Sequence, residues 1–126
     1  MSEPCRPRLI VCTTCKAGRP LAEGETPPGA HLHAALAGLI AEAGATVELR
    51  EVACMANCER GCSAALAMPG KWTFFLGHLA PNLAADLLAY AAAYAAHATG
   101  TVMPSRRPAS LRNVVIGRVP HLEYAA

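Results

Sequence analysis

Residues 63–76, SAALAMPGKWTFFL, contain two apolar runs on either side of a short turn. The runs are Ser63–Met68 and Trp72–Leu76, and each has the length and composition of a β-strand. Between them, Pro69-Gly70-Lys71 is a strong turn signal, because proline presets the backbone of a turn and glycine accepts a left-handed position. This stretch therefore predicts a β-hairpin, around which the rest of the chain can be placed.

Two further strands and one helix precede the hairpin. Arg8–Cys12 (RLIVC) is a short apolar run typical of a buried strand, and Thr46–Val52 (TVELREV) alternates like a half-buried strand. Between them, residues 16–30 are rich in glycine and proline and predict a loop, and His31–Ala43 has apolar residues at helical spacing until Gly44. A strand, a helix and a strand in this order favour a parallel pair of strands.

A second helix and a basic tail follow the hairpin. Pro81 suits the first turn of a helix, apolar residues continue at helical spacing to Tyr94, and Gly100 is a suitable C-terminal stop. The tail contains one more apolar run, Val114–Ile116, whose pairing the pattern leaves open. The order β-α-β-β-β-α predicts a single α/β domain with a mixed sheet, which is the core arrangement of the thioredoxin-like fold.

Composition and net charge restrict the function classes. The 126 residues are 53% hydrophobic and 16% charged, which fits one folded domain and excludes a disordered chain. The net charge of +2 is too small to indicate a nucleic-acid partner. The sequence shows no targeting segment and no strongly apolar stretch of membrane length, so we expect a cytoplasmic protein with no membrane partner.

The charge is unevenly distributed along the chain. Residues 101–126 carry four arginines and one acid (+3), whereas residues 1–100 carry seven basic and eight acidic groups (−1). We therefore expect a thioredoxin-like domain over residues 1–100 that holds the functional site, and a basic extension over residues 101–126 packed on or beside it. The extension could attract an acidic redox partner, or it could be a solvated tail tied down by Leu111 and Val114.

Five of the six cysteines form two clusters, each directly after a predicted strand. Cys12 and Cys15 follow the first strand, and Cys54, Cys58 and Cys62 follow the second. The carboxyl ends of parallel strands share one edge of a sheet, so the two clusters are expected to meet there. Four thiolates can hold a 2Fe–2S or 4Fe–4S cluster or a tetrahedral zinc ion. A dithiol pair and buried inert thiols are further alternatives.

Other side chains carry weaker signals for chemistry. His31 and His33 are two residues apart, so on a helix they face different directions and make a poor pair of ligands. The remaining histidines are isolated in the sequence, and Cys5 lies in a polar N-terminal segment away from both clusters. No Ser-His-Asp set, pair of carboxylates or phosphate-binding loop is recognisable, so we expect an electron carrier rather than a catalyst, with no catalytic residues.

The stretch from Cys54 to Tyr90 resembles the second half of the thioredoxin-like 2Fe–2S ferredoxins. The resemblance rests on the Cys-x3-Cys spacing, the following basic-Gly turn, and the strand, Pro/Gly turn, strand and helix after it, with matches at Gly61, Gly70, Trp72 and Gly77. It implies that Cys12, Cys54 and Cys58 are cluster ligands. The second ligand is expected to be Cys15, although the ferredoxins have a longer gap there, and Cys62, where they tend to have proline, is the alternate ligand.

Residues 9–120 also resemble a family of small predicted metal-binding proteins of unknown function. The shared features are the CTTC start, the Cys-x3-Cys loop, the PGKW turn and an Arg-Pro segment like Arg107-Pro108. Members are often encoded near genes of cobalamin (vitamin B12) synthesis. The resemblance thus implies a metal centre, and it suggests a corrinoid or cobalt reduction step as one use of it.

Taken with the ferredoxin resemblance, the cysteine pattern predicts a one-electron carrier. Its 2Fe–2S cluster would be held by Cys12, Cys15, Cys54 and Cys58 and would exchange electrons with a redox partner protein. The resemblance further implies a homodimer. Two alternatives from other function classes remain at this stage: a module that binds or delivers zinc or another metal without redox activity, and a dithiol oxidoreductase that uses Cys12 and Cys15.

Overall fold

The computed structural model describes residues 6–14, 22–44, 47–52 and 62–120. In this part of the chain, five strands form a mixed sheet in the order β2-β1-β3-β4-β5, and two α-helices accompany it. The predicted α/β class and mixed sheet are therefore confirmed. The elements are β1 (Arg8–Cys12), α1 (Pro28–Ala43), β2 (Glu48–Val52), β3 (Ala64–Ala67), β4 (Thr73–Leu76), α2 (Ala84–Ala96) and β5 (Val115–Val119), with short 3-10 turns at Pro81–Leu83, Pro104–Arg106 and Ala109–Leu111.

Strand β1 is an inner strand of the sheet and pairs on both sides. It runs parallel to β2, with Leu9 opposite Leu49, and antiparallel to β3, with Leu9 opposite Leu66. Leu9 and Val11 are fully buried and belong to the same core cluster as Leu32 of α1. The predicted parallel pair is thus confirmed, and burial of the apolar β1 residues explains why this short run forms a strand.

Helix α1 begins three residues before the predicted start. Pro28 occupies the first turn, where its fixed φ suits the helix and its missing N–H is not needed, so the proline that suggested a loop in fact begins the helix. The predicted end is correct. Gly44 adopts φ 63°, and its N–H donates to the carbonyl oxygen of Ile40 at 2.9 Å, which closes the last turn.

The predicted hairpin is present, with strands slightly shorter than the apolar runs. Strands β3 and β4 pair antiparallel, with Ala65 opposite Phe75, and the Lys71 N–H donates to the Met68 carbonyl oxygen at 3.1 Å to close the turn. Gly70 adopts φ 78°, the left-handed conformation for which glycine is preferred. The turn chemistry read from Pro69-Gly70-Lys71 is therefore the chemistry that the structure uses.

Helix α2 is tied to the hairpin near its C-terminus. The Tyr94 hydroxyl donates to the Trp72 carbonyl oxygen at 2.6 Å, and the Trp72 N–H donates to the Thr99 carbonyl oxygen at 3.0 Å. The Tyr94 ring also meets Phe74 edge to face, with 6.1 Å between ring centroids. The helix ends at Ala96, before the predicted stop. Gly100, at φ 79°, instead lies against the Tyr94 ring, where a Cβ atom would collide.

The C-terminal segment supplies a fifth strand, which the sequence pattern left open. Strand β5 pairs antiparallel with β4, with Phe75 opposite Gly117 and a register shift between Phe75 and Leu76. Leu111 is fully buried and Val114 is nearly so. Residues of the basic extension therefore contribute to the same sheet and the same core as the residues before it.

Two arginines of this segment pack against aromatic rings. The Arg118 guanidinium lies 4.7 Å from the centroid of the Trp72 ring, and the Arg107 guanidinium lies 5.6 Å from that of Tyr90. Arg107 also donates to the carbonyl oxygens of Val102 and Arg112. These contacts bind the segment to α2 and the hairpin through cation–π attraction and hydrogen bonds.

With 16 residues in α1 and 13 in α2, the described ranges contain no helix long and apolar enough to span a bilayer.

The buried hydroxyls of Tyr94 and Tyr90 allow a matched test of this packing. Tyr94→Phe should lower the free energy of unfolding by about 1–2 kcal/mol, because the Trp72 carbonyl oxygen loses its donor. Tyr90→Phe should be neutral or slightly stabilising, because the Tyr90 hydroxyl is buried and has no hydrogen-bond partner in the described part of the protein. Urea unfolding of both variants measures the difference, and equal losses would contradict this account.

Alkaline pH should destabilise the fold through the ionisation of Tyr94. Burial, followed by the effect of Tyr90, raises the pKa of Tyr94 from 10.0 to about 12. Because the pKa of Tyr94 is higher in the folded state than in the unfolded state, the neutral hydroxyl contributes to the free energy of unfolding. That contribution is complete below pH 10 and is lost as the pH rises from 10 towards 12. Urea unfolding across that window should show a smaller loss of stability for Tyr94→Phe than for the wild type. An identical pH dependence in the two proteins would contradict the assignment.

Candidate functional site

The first cysteine cluster begins where β1 and β2 end side by side. Cys12 is the last residue of β1, and its Cα lies opposite that of Val52, the last residue of β2. The Thr13 N–H donates to the Val52 carbonyl oxygen at 3.0 Å, and its hydroxyl contacts the same oxygen at 3.5 Å. As parallel pairing requires, the segments that follow the two strands leave the sheet at one edge.

Residues 53–61, which contain Cys54 and Cys58 in the sequence, are joined to the sheet on opposite sides of Cys12. Residue 53 is joined to Val52, which neighbours Cys12 on the β2 side, and residue 61 is joined to Cys62. On the β3 side, the Cys12 N–H donates to the carbonyl oxygen of Ser63 at 3.1 Å. The end of β1 therefore lies between the two attachment points of the segment that carries Cys54 and Cys58 in the sequence.

A row of backbone hydrogen bonds continues along this edge as far as the start of β5. The Cys62 N–H donates to the Leu79 carbonyl oxygen at 3.2 Å, and the Leu79 N–H donates to the Cys62 carbonyl oxygen at 3.0 Å. The Gly77 N–H donates to the Val114 carbonyl oxygen at 2.8 Å. We call Cys12, Val52, Cys62, Ser63 and Leu79 the cysteine edge. Its backbone is paired across strands, which gives a rigid base for any site built there.

Cys12 is well shielded from water. Its side chain is only 5% exposed, and its sulfur lies 3.9 Å from the Thr14 hydroxyl oxygen. The observed setting is that of a buried cysteine in the core cluster rather than of an exposed, reactive thiol.

Cys62, the alternate ligand, is completely buried and belongs to the core cluster that includes Leu79 and Leu76. Successive residues of a strand point to opposite faces, so its side chain is expected on the face opposite to that of Ser63. Ser63 in turn lies directly opposite Cys12, one step beyond the observed pair of Val11 and Ala64. Cys12 belongs to the same core cluster as Cys62.

Ser63 is the residue that sequence reasoning missed at this edge. Its side chain is 1% exposed, and in the described ranges its hydroxyl has no hydrogen-bond partner. A buried polar atom without a partner is uncommon in folded proteins and calls for a physical explanation. The only signal in the sequence is a polar residue between Cys62 and the apolar run that begins at Ala64.

The remaining predicted ligands, Cys15, Cys54 and Cys58, lie outside the described residues, as do Cys5 and His121. Among the residues that the structure does describe, no group of three or more His, Cys, Asp and Glu side chains is placed to hold a metal ion. His78 is exposed at this end of the sheet with φ 56°, and His31 and His33 lie on α1. Cys12 is thus the one member of the predicted ligand set whose position can be described.

The part of the site that is described fits a group bound through sulfur. A shielded cysteine at the end of β1 could supply one sulfur ligand, and the unpartnered hydroxyl of Ser63, just before β3, could donate to an electron-rich sulfur. Both features suit an iron–sulfur cluster, whose sulfurs accept hydrogen bonds and whose potential depends on them.

Comparison with known proteins assigns the chain to a family. Residues 9–121 match the family described as "Protein of unknown function (DUF1636)", and the chain belongs to it. No curated protein matches the sequence.

Solved structures show where the fold recurs. A thioredoxin-like [2Fe–2S] ferredoxin from Aquifex aeolicus is similar with a TM-score of 0.55 at 14% identity, over 90% of this chain and 92% of that chain. A crystal structure of the wild-type thioredoxin-like [2Fe–2S] ferredoxin from Aquifex aeolicus, at 1.5 Å resolution, is similar with a TM-score of 0.55 at 16% identity. The similarity covers 89% of this chain and 97% of that chain. The chain therefore has the predicted thioredoxin-like fold, in the form found in these ferredoxins.

Proposed function

We propose that the protein is a one-electron carrier whose 2Fe–2S cluster is held by Cys12, Cys15, Cys54 and Cys58. The observation that carries the proposal is the position of Cys12 between the two ends of the segment that contains Cys54 and Cys58. Cys15 follows Cys12 by three residues. Chain connectivity thus attaches both cysteine segments to the same edge of the sheet.

The nature of the bound group is inferred from the fold and the donor set together. The similar solved structures are those of [2Fe–2S] ferredoxins, and the described site offers a shielded cysteine and an unpartnered hydroxyl on the residue opposite it. A 2Fe–2S cluster accepts one electron and returns it, a change spread over iron and sulfur with no bond to a substrate. The residues of this chain would bind the cluster, exclude water from the Cys12 side and set its potential.

Electron exchange requires a partner that can approach the bound cluster. We propose a redox partner protein that docks where the segments after Cys12 and Val52 leave the sheet, since proximity to the cluster governs transfer. The resemblance to the ferredoxins predicts a homodimer. The resemblance to the family of small metal-binding proteins predicts a use in cobalamin-related reduction. Sedimentation of the purified protein tests the first of these.

The cluster itself is tested by anaerobic purification. The protein should be coloured, should contain two iron and two sulfide ions per chain, and should give a paramagnetic signal after reduction by one electron. Optical spectra, iron and sulfide analysis and electron paramagnetic resonance check these points. A colourless protein that contains zinc alone would replace the proposal with a zinc module. A metal-free protein that cycles fully between dithiol and disulfide would replace it with a dithiol oxidoreductase.

The ligand set is tested by a pair of cysteine variants. Cys15→Ser should lose most of its iron and sulfide, because one of four ligands is removed. Cys62→Ser should keep the cluster, because the proposed set assigns all four ligand positions to other cysteines and Cys62 is completely buried in the core. Iron and sulfide per chain are the measurements, with Cys5→Ser as a control that should match the wild type.

Folding must be checked alongside the iron content. A serine at position 62 would bury a hydroxyl in the core, which costs about 1–3 kcal/mol, so circular dichroism and urea unfolding should accompany the analysis, with Cys62→Ala as a companion variant. If folded Cys62→Ala loses the cluster while Cys15→Ser keeps it, Cys62 is the second ligand and the proposed set is wrong.

A further inference from the structure

The buried position of the Ser63 hydroxyl lowers the free energy of unfolding of the metal-free protein. Its side chain is 1% exposed, so water does not satisfy it, and no partner for its oxygen is found among the residues that the structure describes. Burying a hydroxyl without a hydrogen bond is unfavourable, and an alanine would fill much of the same space without that penalty. Three alanines occur in the adjoining strand, Ala64, Ala65 and Ala67, so a small apolar residue is well tolerated there.

The neighbourhood of Ser63 points to a sulfur as the missing acceptor. Ser63 is the cross-strand neighbour of Cys12, because the Cys12 N–H donates to the Ser63 carbonyl oxygen and the preceding pair is Val11 with Ala64. Directly opposite residues on antiparallel strands project to the same face, with Cβ atoms about 4.5–5.5 Å apart. The backbone pairing therefore places Ser63 opposite Cys12, although in this structure the Ser63 hydroxyl makes no hydrogen bond to the Cys12 sulfur.

No oxygen atom in the described part of the protein accepts a hydrogen bond from the Ser63 hydroxyl. The Ser63 carbonyl oxygen itself accepts from the Cys12 N–H. A thiolate sulfur that ligates a metal centre becomes a better acceptor as negative charge accumulates on that centre.

We propose that Ser63 is a positioning residue of the cluster that donates its hydroxyl hydrogen to the Cys12 thiolate sulfur and thereby favours the reduced state. The inference rests on the proposed function and adds a residue outside the four cysteines. Reduction adds one electron to the cluster, and the added charge is shared with the ligand sulfurs. A donor aimed at such a sulfur stabilises the reduced form more than the oxidised form, so it raises the reduction potential.

The test compares Ser63→Ala with the wild type, both purified with the cluster bound. The alanine variant should shift the redox equilibrium about tenfold towards the oxidised form, which for a one-electron couple is about 59 mV. Ser63→Thr, which keeps a hydroxyl, should restore most of the potential. Ser110→Ala is a matched control, because the Ser110 hydroxyl is exposed and bonds to Asp86 on α2. Its potential should equal that of the wild type.

Two further measurements do not depend on electron transfer. After exchange into heavy water, the reduced wild-type protein should show a deuteron coupled to the cluster by pulsed paramagnetic resonance, and Ser63→Ala should lack it. The metal-free Ser63→Ala protein should unfold at the same or a higher urea concentration than the metal-free wild type, because the orphaned hydroxyl has been removed.

The outcomes separate this inference from the proposed function. A wild-type protein that binds no iron would overturn the proposed function and the inference together. A bound cluster with unchanged potential and an unchanged deuteron signal in Ser63→Ala would overturn the inference alone, as would destabilisation of the metal-free variant, since the hydroxyl would then have a structural partner. If Ser63→Ala loses the cluster, the threonine variant decides: retention supports the inference and loss contradicts it.

Discussion

The pairing of β1 with strands on both sides is the constraint on which the rest of the site depends. On the antiparallel side the Cys12 N–H donates to the Ser63 carbonyl oxygen, and on the parallel side the next N–H, that of Thr13, donates to the Val52 carbonyl oxygen. A shift of one residue in either register would move every side chain of β1 to the other face of the sheet. Such a shift would expose Leu9 and Val11, so the burial of the core also determines the position of the cysteine.

The C-terminal segment stabilises the same edge from the far side. Just before β5, the Val114 carbonyl oxygen accepts from the Gly77 N–H, and the next backbone pair along the edge joins Leu79 to Cys62. Arg107 and Arg118 hold the segment against Tyr90 and Trp72. The basic extension is thus structural in its described part, where two of its arginines are engaged in packing.

Patterns that depend on near neighbours were predicted well from the sequence. The apolar run of β1 and the turn at Pro69-Gly70 are decided by residues adjacent in the chain, and both are present. The sequence pattern predicts the start of α1 three residues late, because it treats prolines as helix breakers, whereas Pro28 suits a first helical turn. The predicted stop at Gly100 is wrong, because α2 ends at Ala96; at Gly100 a Cβ atom would collide with the Tyr94 ring.

Strand β5 could not be deduced in the same way. Its sequence, VIGRV, contains a glycine and an arginine, and its short apolar pattern is compatible with either a strand or a coil. Pairing with the open edge of β4 decides between them, because that edge supplies the hydrogen-bond partners that a five-residue segment does not have alone.

By itself the sequence determined the residue types and spacings of two thiol clusters and the strands that precede them, because these are properties of the chain read in order. Only the tertiary structure decided that Ser63 lies opposite Cys12 and that Cys62 is enclosed in the core. Those relations depend on register between strands far apart in the chain. Register is selected by the burial of both strands together, which no local pattern contains.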